Sequence, residues 1–234
     1  MKKLISLIFL LACVLVSGAE EVQHYAVKVG NFSSLLVIDN VNVEYRCNAD
    51  SAGYAVFDTT PYYANNVIFS NSSNKLKIEV VSDIVPCDSM PTFVVYSRSL
   101  ESVVNDGTGK VVVGRLPQCN RFKASLSDNG ALALRHVDAD EMNLNILTGK
   151  GTIVAVGNCG ILKTRLVGAG VINTNDVTSP TVECKIMGTG QIFCNVIGGE
   201  LKVMGTGTGK VYYKGKPSKV TVRKIGSIKA IPQD

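Results

Sequence analysis

The sequence repeats itself every 20 residues from Phe122 onward, and this period restricts the fold more than any other feature. Polar and apolar residues alternate within each unit, which is the two-residue period of a β-strand and not the 3.6-residue period of a helix. Units of this length built from short strands are typical of a β-solenoid, in which stacked coils cover each other's apolar side chains. We therefore predict an all-β fold, a single-stranded β-helix or β-solenoid with coils of about 20 residues. The positions spaced by 20 are Phe122, Met142, Leu162 and Val182; Ala124, Leu144, Thr164 and Cys184; and Leu126, Ile146, Leu166 and Ile186.

Each repeat is followed by a small turn, which reads "SDNG", "TGKG", "GAG" and "GTG" in successive units. A phosphate-binding glycine loop would occur once, after a strand and before a helix. These turns recur at one phase of the repeat, and none leads into a helical pattern. We interpret them as corners of the coils, where glycine allows the positive φ of a sharp bend.

The N-terminal third is strand-like but shows no clear period. "LLVIDNVNVEYRC" predicts two strands about Asp39 and Asn40, "NVIFSNSSNKLKIEVV" a hairpin, and "PTFVVYS" a further strand. The polar and aromatic segment between the first two predicts a loop or a short helix. No Pro-, Gly- or Ser-rich linker separates this third from the coils. We predict one domain over residues 20–234, with N-terminal strands and a cap at 20–100 and repeating coils at 101–234.

The first 19 residues have the organisation of a secretory signal. Lys2 and Lys3 precede a 13-residue apolar run, and "SGA" supplies small residues for cleavage after Ala19. The run is shorter than the ~20 residues of a membrane span, so we predict no integral membrane span. "LLAC" also resembles a lipobox, which leaves lipidation at Cys13 open. Either reading predicts export, to the periplasm or the cell surface.

Charge and composition exclude several classes of function. The formal charge of +5 falls to +3 without Lys2 and Lys3, too little to predict nucleic-acid binding. Trp is absent, the chain has two histidines, and no cysteine stands in a C-x-x-C pair. We therefore predict no metal site and no cofactor.

The order of these features resembles a known family. An opening strand pair, a "KLKIEV" hairpin, strands punctuated by small corners and a closing "VYYKGKPSKVTVRKIGSIKAI" resemble the family called putative auto-transporter adhesin, head GIN domain, over Val29 to Ile231. The family's usual corner is closer to "SGAS" than to the "GTG" or "GAG" found here. The resemblance implies a β-solenoid protein of the bacterial envelope or surface, and it supplies no catalytic residues.

Three clusters of polar side chains are candidates for chemistry or binding. "RHVDADE" at Arg135–Glu141 turns several polar groups outward, but the register places no carboxylate of another coil beside them, so we read it as a solvated face. Lys163 with Glu183, and Arg165 with Lys185, form outward columns that we read as surface pairs. "YYKGKPSK" groups aromatics with lysines and is a candidate contact for an acidic glycan or the envelope surface, while a plain coil edge with a Gly-Lys-Pro turn is the alternative reading. The residues of this predicted ligand-contact patch are Tyr212, Tyr213, Lys214 and Lys216.

The cysteines and three short motifs predict covalent modifications. Cys119 and Cys159 are two coils apart, roughly 9.6 Å, which is beyond disulfide reach, and Cys184 and Cys194 fall on core columns. Cys47 and Cys87 lie outside the periodic part and are the remaining disulfide candidate. Three Asp-Ser/Thr motifs in the N-terminal third match a bacterial O-glycosylation pattern, with acceptors Ser51, Thr59 and Ser89.

The sequence favours a non-catalytic, adhesin-like binding scaffold of the cell envelope that is secreted or surface-exposed. Two alternatives remain open. One is a carbohydrate-active enzyme, a polysaccharide lyase or hydrolase on a β-helix, which would need carboxylates from neighbouring coils to converge. The other is a purely structural envelope component.

Overall fold

The computed structural model describes residues 21–81 and 90–233. These residues form an all-β solenoid of about seven turns with coils about 20 residues apart, as the sequence period predicts. In chain order the elements are β1 (Gln23–Lys28), β2 (Ser34–Ile38), β3 (Asn42–Cys47), β4 (Tyr54–Thr59), α1 (Pro61–Ala64), β5 (Val67–Ser72), β6 (Lys75–Val80), β7 (Thr92–Ser97), β8 (Ser102–Asp106), β9 (Lys110–Arg115), β10 (Cys119–Ser127), β11 (Ala131–Ile146), β12 (Thr152–Gly168), β13 (Val171–Gly188), β14 (Gln191–Gly207), β15 (Lys210–Lys216), β16 (Lys219–Gly226) and β17 (Lys229–Pro232).

The long strands β10 to β14 pair in parallel with the register that the repeat predicts. Leu126 lies opposite Ile146, Ile146 opposite Leu166, and Leu166 opposite Ile186. All four side chains are completely buried. Each coil thus buries an apolar face that it has no means of covering alone, and the stack of coils forms one continuous core.

Two of the walls of each coil meet at a glycine corner. We call the strand segments that precede the corner the leading face; they include residues 141–147, 161–167, 181–187, 200–206 and 219–225. The segments that follow the corner form the trailing face and include residues 152–155, 171–174, 191–194, 210–213 and 229–232. Alternate side chains of both walls point into the core or out to solvent.

The corner at Gly188–Gly190 shows why these glycines recur. Gly188 has φ +130°, a conformation that disfavours residues with a side chain. The amide groups of Thr189 and Gly190 donate to the carbonyl of Gly168 in the preceding coil, at 3.0 and 3.1 Å. Because these amide groups donate hydrogen bonds to the neighbouring coil, the turn is a stacking corner, and these amides are not free to bind a phosphate.

The parallel stack extends further toward the N-terminus than the visible sequence period. β2 pairs in parallel with both β6 and β8, and β3 pairs in parallel with both β7 and β9. The coil made of β2 and β3 is therefore inserted between the coil of β6 and β7 and that of β8 and β9. The parallel stacking thus begins before the predicted boundary at residue 101.

Antiparallel strands cover the N-terminal end of the stack. β5 pairs with β6, and β4 pairs with β7 and with β1. The predicted hairpin is confirmed as β5 and β6, and the segment predicted as a loop or short helix contains both α1 and the strand β4. At the opposite end, β16 pairs with β14 and β17 pairs with β15, and no described strand pairs with their outer edges.

Candidate functional site

A column of outward-facing aromatic and apolar side chains crosses the trailing face in the last three coils. Phe193 of β14 lies opposite Tyr212 of β15, and Tyr212 lies opposite Ile231 of β17. The two rings stack with centroids 4.9 Å apart and planes 10° from parallel. Since their faces cover each other along the stacking axis, the column offers ring edges to a ligand and lacks an open ring face for a sugar.

Lysines surround this column. Lys210 and Lys229 are opposite each other in register beside it, and both are exposed. Lys214 is on the same wall, with its ammonium group 3.8 Å from the carboxylate of Asp176. Residues 201–233 contain eight lysines and arginines and no aspartate or glutamate. Four of them, Lys210, Lys214, Lys216 and Lys229, lie on the trailing side of the corner, so this face is positively charged beside a half-buried aromatic column.

The residues of the predicted ligand-contact patch do not all face solvent, because successive side chains of a strand point to opposite sides. Tyr212 faces outward, whereas Tyr213 lies opposite Cys194 and packs against the core. Lys214 faces outward, and Lys216 lies exposed beyond Gly215, whose φ is +88°. Phe193, Lys210 and Lys229 were not predicted as part of this patch, although the 19-residue spacings of Phe193 to Tyr212 and of Lys210 to Lys229 indicate shared columns.

The acidic cluster of β11 is a hydrogen-bonded surface group. Asp138 accepts hydrogen bonds from the side-chain amide of Asn158 at 2.9 Å and from its backbone amide at 3.1 Å, and its other oxygen lies 2.9 Å from Nε2 of His136. The hydrogen bond from Asn158, helped by His136, lowers the pKa of Asp138. Arg115 completes the cluster at 3.3 Å from the His136 ring.

This arrangement fits an anchored anion and not a proton donor. A lowered pKa keeps the Asp138 carboxyl ionised at neutral pH, whereas a general acid needs a raised pKa. Asn158 lies opposite Asp138 as the register predicts, and Gln118 lines the same surface depression, so the neighbouring coils supply amides here. No group of three His, Cys, Asp or Glu side chains suited to a metal occurs within residues 21–81 and 90–233.

Residues 31–217 match the model of the family described as putative auto-transporter adhesin, head GIN domain. The chain belongs to this family. The resemblance to this family is thus confirmed over residues 31–217, a range that ends within the closing segment.

Solved structures share the fold of this GIN-domain chain over nearly its full length. A putative adhesin from Bacteroides fragilis NCTC 9343 has a TM-score of 0.82 and 18% identity, covering 92% of this chain and 98% of that one. A putative lipid binding protein from Parabacteroides distasonis ATCC 8503 has a TM-score of 0.73 and 17% identity, covering 93% and 98%. A putative adhesin from Parabacteroides merdae ATCC 43184 has a TM-score of 0.69 and 18% identity, with the same coverage. At these identities the likeness concerns the fold alone.

No curated protein matches this GIN-domain chain. In the part of the chain that the structure describes, no helix is long and apolar enough to cross a membrane.

The cysteines follow the predicted register. Cys119 and Cys159 both lie opposite Ala139, two coils apart, and both are free thiols. Cys184 and Cys194 are free and completely buried in core columns. The thiol of Cys47 donates to the carbonyl of Arg98 at 3.1 Å. Its disulfide with Cys87 stays a prediction, because Cys87 lies outside the described residues.

The predicted glycosylation sites lie in different environments. Ser51 is half-buried in the turn before β4, where its amide donates to the side chain of Asn48 at 3.2 Å. Thr59 is only 4% exposed, with its side chain turned into the core from β4. That burial argues against Thr59, because a transferase has no access to it in the folded chain. Ser89 lies outside the described residues, and Ser51 stays a prediction.

Proposed function

We propose that this chain is a non-catalytic, adhesin-like binding scaffold of the bacterial cell envelope. We further propose that the trailing face of its last coils binds an acidic glycan. The observation that carries the proposal is the segregation of charge. The charged residues on the trailing side of the last two coils, Lys210, Lys214, Lys216 and Lys229, are all cationic, and stacking places Lys210 and Lys229 side by side next to the aromatic column.

The geometry of this face suits an acidic polysaccharide. Parallel coils repeat about every 4.8 Å, so lysines in successive coils present a row of charges to a chain molecule. Lysine ammonium groups donate hydrogen bonds to carboxylate or sulfate oxygens. The hydroxyl of Tyr212 has no hydrogen-bond partner among the described residues and is available to a sugar. The family description and the adhesins of the same fold support a binding role.

A glycan array with the mature protein tests this proposal. We expect binding to glycans bearing uronic acid or sulfate, weakened by salt as counter-ions screen the lysines. The double variant Lys210→Gln with Lys229→Gln should bind about tenfold more weakly, since each exposed cation contributes up to ~1 kcal/mol. Lys123→Gln, which removes an exposed cation from the leading face, is the matched control. Equal binding to neutral and acidic glycans would contradict the proposal.

The alternative, a carbohydrate-active enzyme, would need an acid and a base that face the same bound sugar. The cluster around Asp138 is the strongest candidate for such chemistry, and its carboxyl is held ionised by Asn158 and His136. We expect Asp138→Asn with Asp140→Asn to leave glycan binding unchanged and to alter no calcium affinity. Micromolar calcium binding that this variant loses would favour a functional acidic site.

Export is part of the proposal, because a surface scaffold must leave the cytoplasm. Residues 1–20 lie outside the described part, so the signal segment is a prediction from the sequence. We expect the mature chain purified from its host to begin at Glu20. An N-terminus at Cys13 carrying a lipid would support the alternative processing. The same intact mass would show whether Ser51 or Ser89 carries a glycan.

A further inference from the structure

A second surface, on the leading face, combines exposed apolar side chains with cations. Val167, Met187, Thr206 and Ile225 follow one another in register beside the glycine corner, and Leu147 precedes Val167 by one repeat. Leu147 is 44% exposed, Met187 47% and Ile225 75%. Exposed apolar side chains that are gathered on one surface, and not scattered singly, mark an interaction site.

The adjoining outward column is cationic. Arg165 lies opposite Lys185, Lys185 opposite Met204, and Met204 opposite Arg223. None of these three cations has a carboxylate within 4 Å in the described part of the chain. The next column differs, because Lys163 pairs with Glu141 at 2.7 Å and Lys202 with Glu200 at 3.3 Å.

We name this surface the basic–apolar edge, defined by Leu147, Val167, Met187, Ile225, Arg165, Lys185 and Arg223. It spans four coil steps, roughly 19 Å at ~4.8 Å per step. The corner beside it carries the small exposed residues Ala169, Thr189, Thr208 and Ser227, and in the coil of Leu147 it carries the exposed Lys150.

Two simpler roles explain only part of this surface. Lysine and arginine often protect an open strand edge from aggregation, and this accounts for Arg223 in the last coil. It does not account for Arg165 and Lys185, whose strands are paired on both sides. A second copy of the chain on the same edge would bring like charges together, which is unfavourable.

We propose that the basic–apolar edge docks onto an anionic lipid surface. Side chains such as Met187 and Ile225 enter the boundary between headgroups and acyl chains, and the neighbouring guanidinium and ammonium groups contact anionic headgroups. This is the division of labour found in peripheral membrane proteins, where apolar insertion and electrostatic attraction act together. The trailing face stays free in this orientation, so one molecule can rest on a membrane and hold a glycan.

Co-sedimentation of the mature chain with vesicles tests the proposal. We expect binding to phosphatidylcholine vesicles containing about a third phosphatidylglycerol, and at least tenfold weaker binding to pure phosphatidylcholine. Lys185→Gln with Arg223→Gln should lower the partition coefficient about 25-fold, since each cation near the surface accounts for about fivefold. Met187→Ser with Ile225→Ser should lower it at least tenfold.

Matched controls separate this edge from general stickiness and from the glycan face. Lys210→Gln with Lys229→Gln removes the same charge from the trailing face. Val154→Ser with Ile197→Ser removes two apolar side chains that are 40% and 52% exposed away from the edge. Both controls should retain vesicle binding, and every variant should keep the wild-type circular dichroism spectrum.

Several results would overturn the proposal. These are no binding to anionic vesicles at low salt, equal losses in the control variants, or full binding by Met187→Ser with Ile225→Ser. Binding of a soluble acidic polysaccharide through Lys185 and Arg223, without vesicle binding, would also overturn it. The glycan array on the trailing face has an independent outcome, because its variants leave this edge intact.

Discussion

At Gly188 the absence of one carbon atom decides whether two coils can stack. A Cβ at this residue would lie 2.3 Å from the carbonyl oxygen of Gly168, and φ is +130°. Gly198 provides a natural comparison, because its φ is +75° but an added Cβ would meet no atom within 4 Å. The two positions separate conformational strain from a steric clash between coils.

We predict that Gly188→Ala lowers the free energy of unfolding by about 3 kcal/mol or more, since the clash adds to backbone strain. Gly198→Ala should cost about 1 kcal/mol, from strain alone. Guanidinium denaturation of both variants measures the difference. Equal losses would show that the corner does not depend on close stacking.

Cys159 links a single buried thiol to the pH dependence of stability. The residue is 6% exposed, and burial raises the pKa of its thiol to about 11, despite an opposing hydrogen bond with Ser179. In the unfolded chain the thiol titrates nearer 9. The folded state thus holds its proton more tightly, so this contribution is complete below pH 9 and is lost as the pH rises through 11.

We predict that the wild type loses about 2–3 kcal/mol more stability than Cys159→Ala between pH 8 and 11. Denaturation curves at several pH values for both proteins measure this difference. Parallel curves would show that Cys159 keeps an ordinary pKa in the folded state.

Among the elements, the open strands at the C-terminal end should be the first to lose structure. β16 has one described partner, β14, and its side chains are mostly exposed, including Val220 and Val222 at 39% and 40%. β13 lies between β12 and β14 and alternates buried residues along its length. Local opening is easiest where few buried contacts must break.

We predict that amides of β16 exchange with deuterium roughly 100-fold faster than those of β13. Hydrogen exchange followed by mass spectrometry at neutral pH and micromolar concentration reads both strands in one experiment. Protection of β16 equal to that of β13 would indicate that its outer edge is covered in solution.

The elements also show what sequence reasoning recovers. The coils from Phe122 onward were predictable because each residue pairs with one about 20 positions away. The place of β2 and β3 was not, because Leu35 pairs with Leu76 on one side and with Val103 on the other, at spacings unrelated to the repeat. β4 was missed although Ala55 and Phe57 alternate as in a strand, because polar residues surround them.

For the candidate site, the alternation of side chains along one strand was predictable from the sequence, whereas contacts between coils were not. The outward position of Tyr212 and Lys214 follows from alternation along one strand, and so does the inward position of Tyr213. The pairing of Phe193 with Tyr212 requires the register across two coils. The unpaired state of Arg165 and Lys185 depends on distances to carboxylates, which no pattern in the sequence reports.

In the molecule as a whole, the kind of side chain exposed on the surface changes from one end of the solenoid to the other. The N-terminal end is covered by β1, β4 and β5. The outward column beside the glycine corner contains the polar residues Asp106 and Ser127 in the earlier coils. In later coils it contains the apolar Leu147 and, in the last coil, Ile225. The cations of residues 201–233 gather at the same end. The open end thus carries both proposed contact surfaces, on opposite sides of the corner.

One measurement tests both whether this end of the molecule binds an acidic polysaccharide and whether it leaves that polysaccharide intact. The mature chain is incubated with an acidic polysaccharide of defined length, and the mixture is separated by size with light-scattering detection. We predict that the protein co-elutes with a polysaccharide of unchanged molecular mass, and that Lys210→Gln with Lys229→Gln elutes free of it. A polysaccharide shortened over time by the wild-type protein would contradict the account.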